Sequence, residues 1–160
     1  MKRNVKIFVF STILLILIAS LGIFFMFAFF SPTNVAQTSE NHPETALRTR
    51  RYKFSGDLTE MRTQIEQIIP SLRTSIWGGN WKLAEKQAAD LSAEKQIIRA
   101  AVPVAIFTDD LWIELRRDGN EVVANAHSNS RVGKSDFGEN RRHLLQILQK
   151  LDEQFGNANF

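Results

Sequence analysis

The most apolar part of the chain is an uncharged run near the N-terminus, IFVFSTILLILIASLGIFFMFAFF, at residues 7–30. At about 1.5 Å per helical residue the run would extend about 36 Å, which exceeds the roughly 30 Å hydrocarbon core of a bilayer. All three basic residues of this region precede the run, within residues 1–6, and the next one is Arg48. The positive-inside rule therefore predicts a single transmembrane helix with a cytoplasmic N-terminus, and with residues 31–160 outside the cytoplasm.

A cleaved signal peptide is the alternative interpretation of the apolar run. Signal peptides usually have an apolar region of about 7–15 residues, followed by a cleavage site of the small-x-small type. The run here is longer, and Asn34-Val35-Ala36 matches such a site poorly. An uncleaved anchor is therefore preferred. The absence of cysteine excludes disulfides, thiolate metal ligands and the lipid anchor of bacterial lipoproteins.

Residues 31–51 are rich in Ser, Thr, Asn and Pro, and their apolar residues follow no helical or strand period. Both features predict a linker that holds a folded domain away from the membrane. Three basic residues of the segment, Arg48, Arg50 and Arg51, are expected to be solvated, with contacts to lipid headgroups as the alternative.

An amphipathic helix is predicted after a short strand at residues 52–55. Asp57 and Glu60 have the spacing of a helix-capping pattern, and Pro70 should end or bend the helix. Between them, apolar residues recur at helical spacing and form one face. The members of this face are Leu58, Met61, Ile65, Ile68, Ile69 and Leu72.

The middle of the chain is typical of strands separated by turns. Residues 78–80, Gly-Gly-Asn, predict a turn before a strand at residues 81–88, and residues 95–106 predict a longer strand. Trp77 and Trp81 are expected to pack in the core, with a loop near the membrane surface as the alternative.

Two further strands are predicted from alternating apolar residues. Residues 108–110, Thr-Asp-Asp, predict a turn into a strand at residues 111–118, and residues 118–120, Asp-Gly-Asn, predict a hairpin turn. The strand at residues 121–130 then places Val122, Ala124 and Ala126 on one face. Because the connections are short, these strands should be antiparallel.

A last helix is predicted at residues 139–155, with one apolar stripe. Each of the two helices has a single apolar stripe, so both are expected to bury that stripe against one face of the sheet. The sequence thus predicts an α+β fold: an N-terminal transmembrane helix, then a two-layer sandwich at residues 52–156 with the order β-α-β-β-β-β-α. In it, two helices cover an antiparallel sheet of about 4–5 strands. The stripe consists of Leu144, Ile147, Leu148, Leu151 and Phe155.

The net charge of +3 gives no reason to expect a nucleic-acid partner. Residues 1–30 contain three basic residues and no acidic one, which leaves 17 basic and 17 acidic residues in residues 31–160. The outer part of the protein is therefore neutral, and the excess positive charge belongs to the membrane flank.

Gly133-Lys134-Ser135 has the residues that end a phosphate-binding loop. Such a loop also needs a glycine five positions earlier, where this chain has Ser128. Asp136 and Glu139 would moreover repel a phosphate, and ATP is scarce outside the cytoplasm. The sequence does not support nucleotide hydrolysis.

A structural corner between strand and helix is the preferred interpretation of this stretch. Asp136 and Glu139 suit a helix N-terminus, and a hydrogen bond from Arg131 to Asp136 would fix the loop. Binding of an anion or a protein partner by Arg131, Lys134, Arg141 and Arg142 is the alternative. The candidate binding residues of the corner are Arg131, Gly133, Lys134, Asp136, Gly138, Asn140 and Arg141.

The same stretch carries a resemblance to a family. SRVGKSDFGENR at residues 130–141 resembles the S-R-V-G-x-S-D-x-G-x-N-R signature of domain of unknown function 1499, and FTDD at residues 107–110 resembles its F-x-D-D turn. The resemblance covers residues 52–156. It implies a bacterial or photosynthetic source and a membrane- or envelope-linked protein, with no assigned activity. The cysteine-containing Pro-Asn-Cys-Val segment of many members is absent here.

Other candidate chemistry is sparse. Asp109 and Asp110 are paired carboxylates, but a wet turn would leave them as turn caps, and acid–base work would require one to be shielded so that its pKa rises. His127 lies on a polar strand face with Asn125, Asn129 and Arg131. An ordinary exposed sheet face is the preferred interpretation, and a secondary binding surface is the alternative. No catalytic residue, metal ligand or cofactor is predicted, and the last helix places His143 off its apolar stripe.

Two functions are compatible with this pattern. The preferred one is a non-enzymatic interaction or scaffold module, which is anchored in the membrane and binds a protein partner in the cell envelope. The alternative is a binder of a lipid or small hydrophobic ligand. It rests on the small residues of the central strands, which permit either close packing or a cup between sheet and helices. These residues are Ala100, Ala101, Ala105, Ala124 and Ala126.

Overall fold

The structure is a computed structural model that describes residues 2–30, 33–74, 78–84 and 94–156. The described residues form an α+β fold with three helices and six strands. In chain order, the elements are α1 (Lys2–Phe30), β1 (Val35–Gln37), β2 (Arg50–Lys53), α2 (Leu58–Ile68), β3 (Lys82–Leu83), β4 (Lys95–Val104), β5 (Phe107–Asp118), β6 (Glu121–Ser130) and α3 (Glu139–Phe155).

The strands form one antiparallel sheet in the order β1-β6-β5-β4-β3, and β2 pairs with β6 beside β1. Long hairpins join β4 to β5 and β5 to β6, which confirms the predicted antiparallel meander. The turn between β5 and β6 is at Gly119 and Asn120, as predicted. The sheet has six strands rather than the predicted 4–5, because β1 comes from the segment that was expected to be a linker.

Residues 31–51, which were expected to form a linker, contribute two strand segments to the sheet in their described part. Val35–Gln37 pairs with β6, and Arg50 begins β2. Arg50 is also buried, and its Nε donates to Asp152 on α3 at 3.1 Å. Arg51 forms an ion pair with Asp118 at 2.9 Å. The polar residues of this segment include arginines that form ion pairs with the rest of the fold. A solvated linker would have a similar composition, so composition alone does not distinguish the two.

Both helices of the sandwich follow their predicted apolar faces. The Asp57 side chain accepts a hydrogen bond from the Glu60 amide at 2.7 Å, which caps α2 as predicted. After α2, a 3-10 turn at Ile69–Ser71 contains Pro70, so the helix ends where the proline predicts. The described core lies between these helices and one sheet face. Its largest members include Met61, Ile65, Ile98, Leu111, Ile113, Leu115, Leu144, Ile147 and Leu148.

The predicted turn at residues 108–110 is wrong. The chain turns earlier, at Ala105 and Ile106, so β4 ends at Val104 and residues 108–110 belong to β5. Asp109 pairs with Ser130 of β6 and continues the inward-facing series of Leu111, Ile113 and Leu115. The Thr-Asp-Asp composition suggested a turn, but the period-2 alternation already includes Asp109.

Only part of the predicted strand at residues 81–88 can be compared. Lys82–Leu83 pairs with β4, and residues 85–88 lie outside the described residues. Trp81 is buried, and its Nε1 donates to the Thr74 hydroxyl at 3.3 Å, so the core position predicted for it is confirmed. Trp77 lies outside the described residues as well.

The N-terminal helix α1 is continuous over 29 residues. Its described apolar side chains are exposed, and the Phe24 ring lies 5.6 Å from the ring of Phe137. None of the helices in the described part of the chain is both long enough and apolar enough to cross a membrane.

Candidate ligand-binding site

The loop between β6 and α3 is held by the carboxylate of Asp136. It accepts hydrogen bonds from the backbone amides of Gly138 at 2.8 Å and Asn140 at 2.9 Å. Gly138 is the residue that precedes α3, and its φ of 81° is a left-handed value that suits glycine. Asp136 therefore satisfies amides at the start of α3 although Gly138 stands between it and the helix. This is the geometry of a structural corner.

Arg131 does not bond to Asp136, so this prediction is wrong. Its guanidinium instead holds the carboxylate of Asp110, with Nε to the two oxygens at 3.1 Å and Nη2 to Oδ1 at 2.6 Å. Asp110 lies on the outer face of β5, and β6 is the adjacent strand, so an arginine that leaves β6 reaches it directly. The Asp109-Asp110 pair is thus split between the two faces of the sheet.

Asn140 is an internal side chain and not part of an exposed binding surface. It is fully buried, its Nδ2 donates to the Asn34 carbonyl and to the Ser130 hydroxyl at 2.9 Å, and its Oδ1 accepts from the Ser128 hydroxyl at 2.6 Å. It therefore fastens α3 to β6 and to the segment before β1. These bonds assign Asn140 a structural role.

The arginines of the corner are already ion-paired. Arg141 bonds to Glu44 with Nε to Oε2 at 3.0 Å, and Arg142 bonds to Glu139 with Nε to Oε1 at 3.0 Å. With Arg131 on Asp110, three of the four cations proposed for anion binding have carboxylate partners. Lys134 is exposed. The geometry favours the structural corner over the anion-binding alternative.

Replacing Asp136 by alanine is expected to lower the free energy of unfolding by about 1–3 kcal/mol, because two amides lose their acceptor. Lys134→Ala, two residues earlier, is the matched control and should change the stability by less than about 0.5 kcal/mol. Denaturant unfolding of the full chain measures both. An Asp136→Ala variant with unchanged stability would contradict the structural role of the corner.

A cavity of about 520 Å³ lies at the end of the sheet, between the β4–β5 turn and the corner loop. Most of its surface is apolar, although six of the twelve described lining residues have polar side chains. Its position differs from the predicted cup: Ala100, Ala124 and Ala126 are buried in the packed core, and Ala105 lies in the turn beside the cavity. The described lining consists of Thr74, Val104, Ala105, Phe107, Asp109, Ser130, Val132, Gly133, Ser135, Asp136, Phe137 and Glu139.

The backbone is strained at two points of the cavity wall. Among the described residues other than glycine, Ala105 and Phe137 have positive φ, 52° and 53°. A left-handed backbone costs a residue with a side chain about 1–2 kcal/mol, and such strain clusters at functional sites. Both strained residues line this one cavity.

Asp109 is the buried polar group of the cavity. It is only 3% exposed, and its Oδ2 has no hydrogen-bond partner among the described residues. Burial raises the pKa of Asp109 to about 6, although a hydrogen bond with the Ser130 side chain opposes the shift. A functional carboxylate needs such shielding, and the predicted turn at residues 108–110 would have left Asp109 in water. The Oγ of Ser135 is likewise buried in the cavity wall without a partner among the described residues.

His143 lies behind Asp109, and its predicted position off the apolar stripe is wrong. The residue is 1% exposed, its Nδ1 lies 3.8 Å from Asp109 Oδ2, and its ring meets the edge of Trp81. Burial lowers the pKa of His143 to about 4, so the imidazole is neutral at pH 7. The spacing from His143 to Ile147 and Leu151, four and eight residues, in fact places it on the stripe and was the available signal in the sequence.

His127 lies on the opposite face of the sheet from the cavity. Its ring stacks on Trp112 at a centroid distance of 3.9 Å, and burial lowers its pKa. Asn125, beside it, accepts from the Thr49 hydroxyl at 2.7 Å. The described part of the chain contains no group of three or more His, Asp or Glu side chains that could hold a metal ion.

Comparison with known proteins identifies a family and nothing finer. Residues 28–151 match the family described as "Protein of unknown function (DUF1499)". No curated protein and no solved structure matches the chain. The match includes the corner loop and the FTDD segment, so the two stretches that suggested the resemblance meet at one cavity.

Proposed function

Since the chain belongs to the DUF1499 family, whose function is unknown, we propose a function from the site itself: a membrane-tethered domain that binds a small apolar or amphipathic ligand. The observation that carries this proposal is the apolar cavity at the end of the sheet. Its volume of about 520 Å³ lies within the range of small-molecule sites, about 300–1,000 Å³. The proposal involves binding without a chemical step, and without a metal or a cofactor.

Several features separate this cavity from a packing defect. A defect would be an apolar gap inside the core, whereas this cavity is lined by Asp109 and Ser135, each with a buried oxygen that has no hydrogen-bond partner among the described residues. Leaving such groups buried costs about 1–3 kcal/mol each. The strained backbone at Ala105 and Phe137 adds to that cost. A ligand that fills the apolar space and bonds to the free oxygens would recover part of it.

The rim of the cavity supports a membrane as the source of the ligand. Exposed large apolar side chains lie at the cavity: Phe107, Val132 and Phe137, which line it, are 46–61% exposed, and Ile106, in the adjacent β4–β5 turn, is 89% exposed. Phe137 also contacts Phe24 of α1, so the apolar rim continues into the apolar N-terminal helix. An exposed apolar surface of this kind is typical of contact with a membrane or partner.

Membrane anchoring through residues 7–30 is part of the proposal and rests on the sequence. As a helix, the uncharged run would extend about 36 Å, which exceeds the roughly 30 Å hydrocarbon core of a bilayer. The basic residues before the run favour a cytoplasmic N-terminus, with the domain outside the cytoplasm.

The topology can be tested with two reporters fused separately to the C-terminus of the full chain. We expect activity from alkaline phosphatase, which folds only outside the cytosol, and none from a reporter that works only in the cytosol. The opposite result would contradict the proposed orientation. The cavity would remain, but its ligand would then have to be a cytosolic molecule.

Filling the cavity should prevent binding. Val104 lines the cavity at the end of β4, and Val104→Trp would occupy apolar space there. We expect labelling of the cavity by a photoactivatable decane with a diazirine group, in phosphatidylcholine nanodiscs, to fall about tenfold. Val35→Trp on the exposed strand β1 is the matched control and should leave the labelling unchanged. Equal labelling of the cavity in both variants would contradict the proposal.

An interaction or scaffold module remains the second candidate function. The observation that favours it is the outer sheet face, where the stacked rings of Trp112 and His127 are only partly buried. Aromatic side chains of this kind are enriched in protein interfaces. Co-purification of a protein partner that Trp112→Ala abolishes and Val104→Trp does not would favour this function over ligand binding.

A further inference from the structure

Asp109, which lines the cavity, has a carboxylate oxygen without a hydrogen-bond partner in the described part of the chain. Asp109 Oδ2 is buried and has no hydrogen bond from the described residues, while the Ser130 side chain bonds to the same carboxylate. The oxygens of Asp136 accept from two backbone amides, and Glu139 is paired with Arg142. Asp109 is therefore the acid of the cavity lining whose carboxylate keeps a buried oxygen without a hydrogen bond from the described residues.

The charge of the lining decides which polar group fits there. Its described titratable members are Asp109, Asp136 and Glu139, all acidic, and the described lining includes no lysine or arginine. A ligand with a carboxylate or phosphate would meet like charge in a site of low dielectric, which is strongly unfavourable. A positively charged hydrogen-bond donor would instead be attracted by these carboxylates and could bond to one of them.

His143 leaves the charge of Asp109 available. Its Nδ1 is 3.8 Å from Asp109 Oδ2, which is beyond hydrogen-bond distance. The imidazole is buried against Trp81 and is neutral at pH 7 because burial lowers its pKa. It therefore acts as a polar neighbour and does not neutralise the carboxylate.

We propose that the ligand of this cavity is a small amphipathic molecule with a protonated amine, which binds to the carboxylate of Asp109 while its apolar tail lies against Val104, Phe107 and Phe137. This inference rests on the proposed function and specifies its ligand. The amine donates to the carboxylate of Asp109, and the Ser135 hydroxyl is a second polar group in the described wall of the cavity.

The experiment compares three diazirine-bearing decyl probes that differ only in their head: amine, alcohol and carboxylate. The full chain in phosphatidylcholine nanodiscs is photolabelled, and the labelled peptides are located by mass spectrometry. Labelling at residues 104–109 and 130–139 is divided by labelling of residues 7–30, which corrects for the different partition of the probes into lipid. We expect this ratio to be about tenfold higher for the amine than for the carboxylate or the alcohol.

Two variants link the preference to one carboxylate. Asp109→Asn should lower labelling by the amine to the level of the alcohol, and Asp110→Asn, the adjacent carboxylate on the outer face, should leave it unchanged. Equal cavity labelling by the carboxylate or the alcohol, or unchanged amine labelling in Asp109→Asn, would overturn the inference and leave the proposed function standing. No cavity labelling by any of the three probes would overturn both.

Acidification gives a second measurement that needs no variant. Protonation of Asp109, whose pKa is raised to about 6, removes the charge that the amine requires. Amine labelling should therefore fall about tenfold from pH 7.5 to pH 5, with alcohol labelling unchanged. The charged or titratable groups that face Asp109 are Asp110 and Arg131 from the strands, Asp136 from the corner, and Glu139 and His143 from α3. A fall of the same size in Asp109→Asn would assign the effect to those groups and contradict the inference.

Discussion

Replacing Asn140 by alanine is expected to lower the free energy of unfolding by about 3 kcal/mol. The change removes three side-chain hydrogen bonds and leaves the Asn34 carbonyl and the hydroxyls of Ser128 and Ser130 without this partner. Buried groups that lose a partner cost about 1–3 kcal/mol each, which relaxation and water partly reduce. The backbone bond from residue 140 to Asp136 is retained, so the start of α3 should persist.

Asn129→Ala is the matched control for this variant. Asn129 lies on the same strand as Ser128 but is only half-buried, and its side chain makes one long hydrogen bond, 3.4 Å, to the Ser130 carbonyl. Its replacement should change the stability by less than about 1 kcal/mol. Denaturant unfolding of both variants, monitored by circular dichroism, measures the difference. Equal effects would show that Asn140 does not fasten the corner as its contacts indicate.

Replacing Asp109 by asparagine is expected to stabilise the unliganded protein at pH 8 by about 1–3 kcal/mol. The pKa of Asp109 is about 6 in the folded protein, against an ordinary value of 3.8, so its ionisation disfavours folding. A raised pKa means that the folded state holds the proton more tightly. The favourable contribution of Asp109 is therefore complete below about pH 4 and is lost as the pH rises to about 6.

The stabilisation by Asp109→Asn should accordingly disappear at pH 4. His143 complicates the wild-type profile, because its pKa is lowered to about 4 and its contribution is lost as the pH falls from 6.5 towards 4. The difference between variant and wild type cancels this common effect. Unfolding curves at pH 4, 6 and 8 supply the measurement. A variant that is less stable than wild type at pH 8 would contradict the burial of an ionised Asp109.

The sandwich was largely predictable, because the spacing of apolar residues along a helix or strand shows which of its sides is buried. The stripe of α3 and the inward series of β5 and β6 are apolar, so their faces and the hairpin at Gly119-Asn120 follow from the sequence. Strand β1 was not predictable in this way. Its three residues, Val-Ala-Gln, are too few to show a period, and β1 is specified by its partner β6.

The cavity was not predictable, because it depends on where the β4–β5 turn falls. Thr-Asp-Asp is a turn composition, yet the turn lies at Ala105-Ile106, where Ala105 has a left-handed backbone. That shift moves Asp109 from solvent to the core side of β5. The corner motif was correctly interpreted as structural in outline, but the partner of Arg131 depends on strand adjacency, which the sequence alone does not give.

Native mass spectrometry of the full chain, purified from its own membrane, tests the central claim most directly. We expect one small molecule bound per chain, with an apolar tail and a basic nitrogen, and we expect it to be lost in Val104→Trp but not in Val35→Trp. A wild-type chain that carries no ligand, or one whose ligand persists in Val104→Trp, would contradict the assignment of this cavity as a binding site.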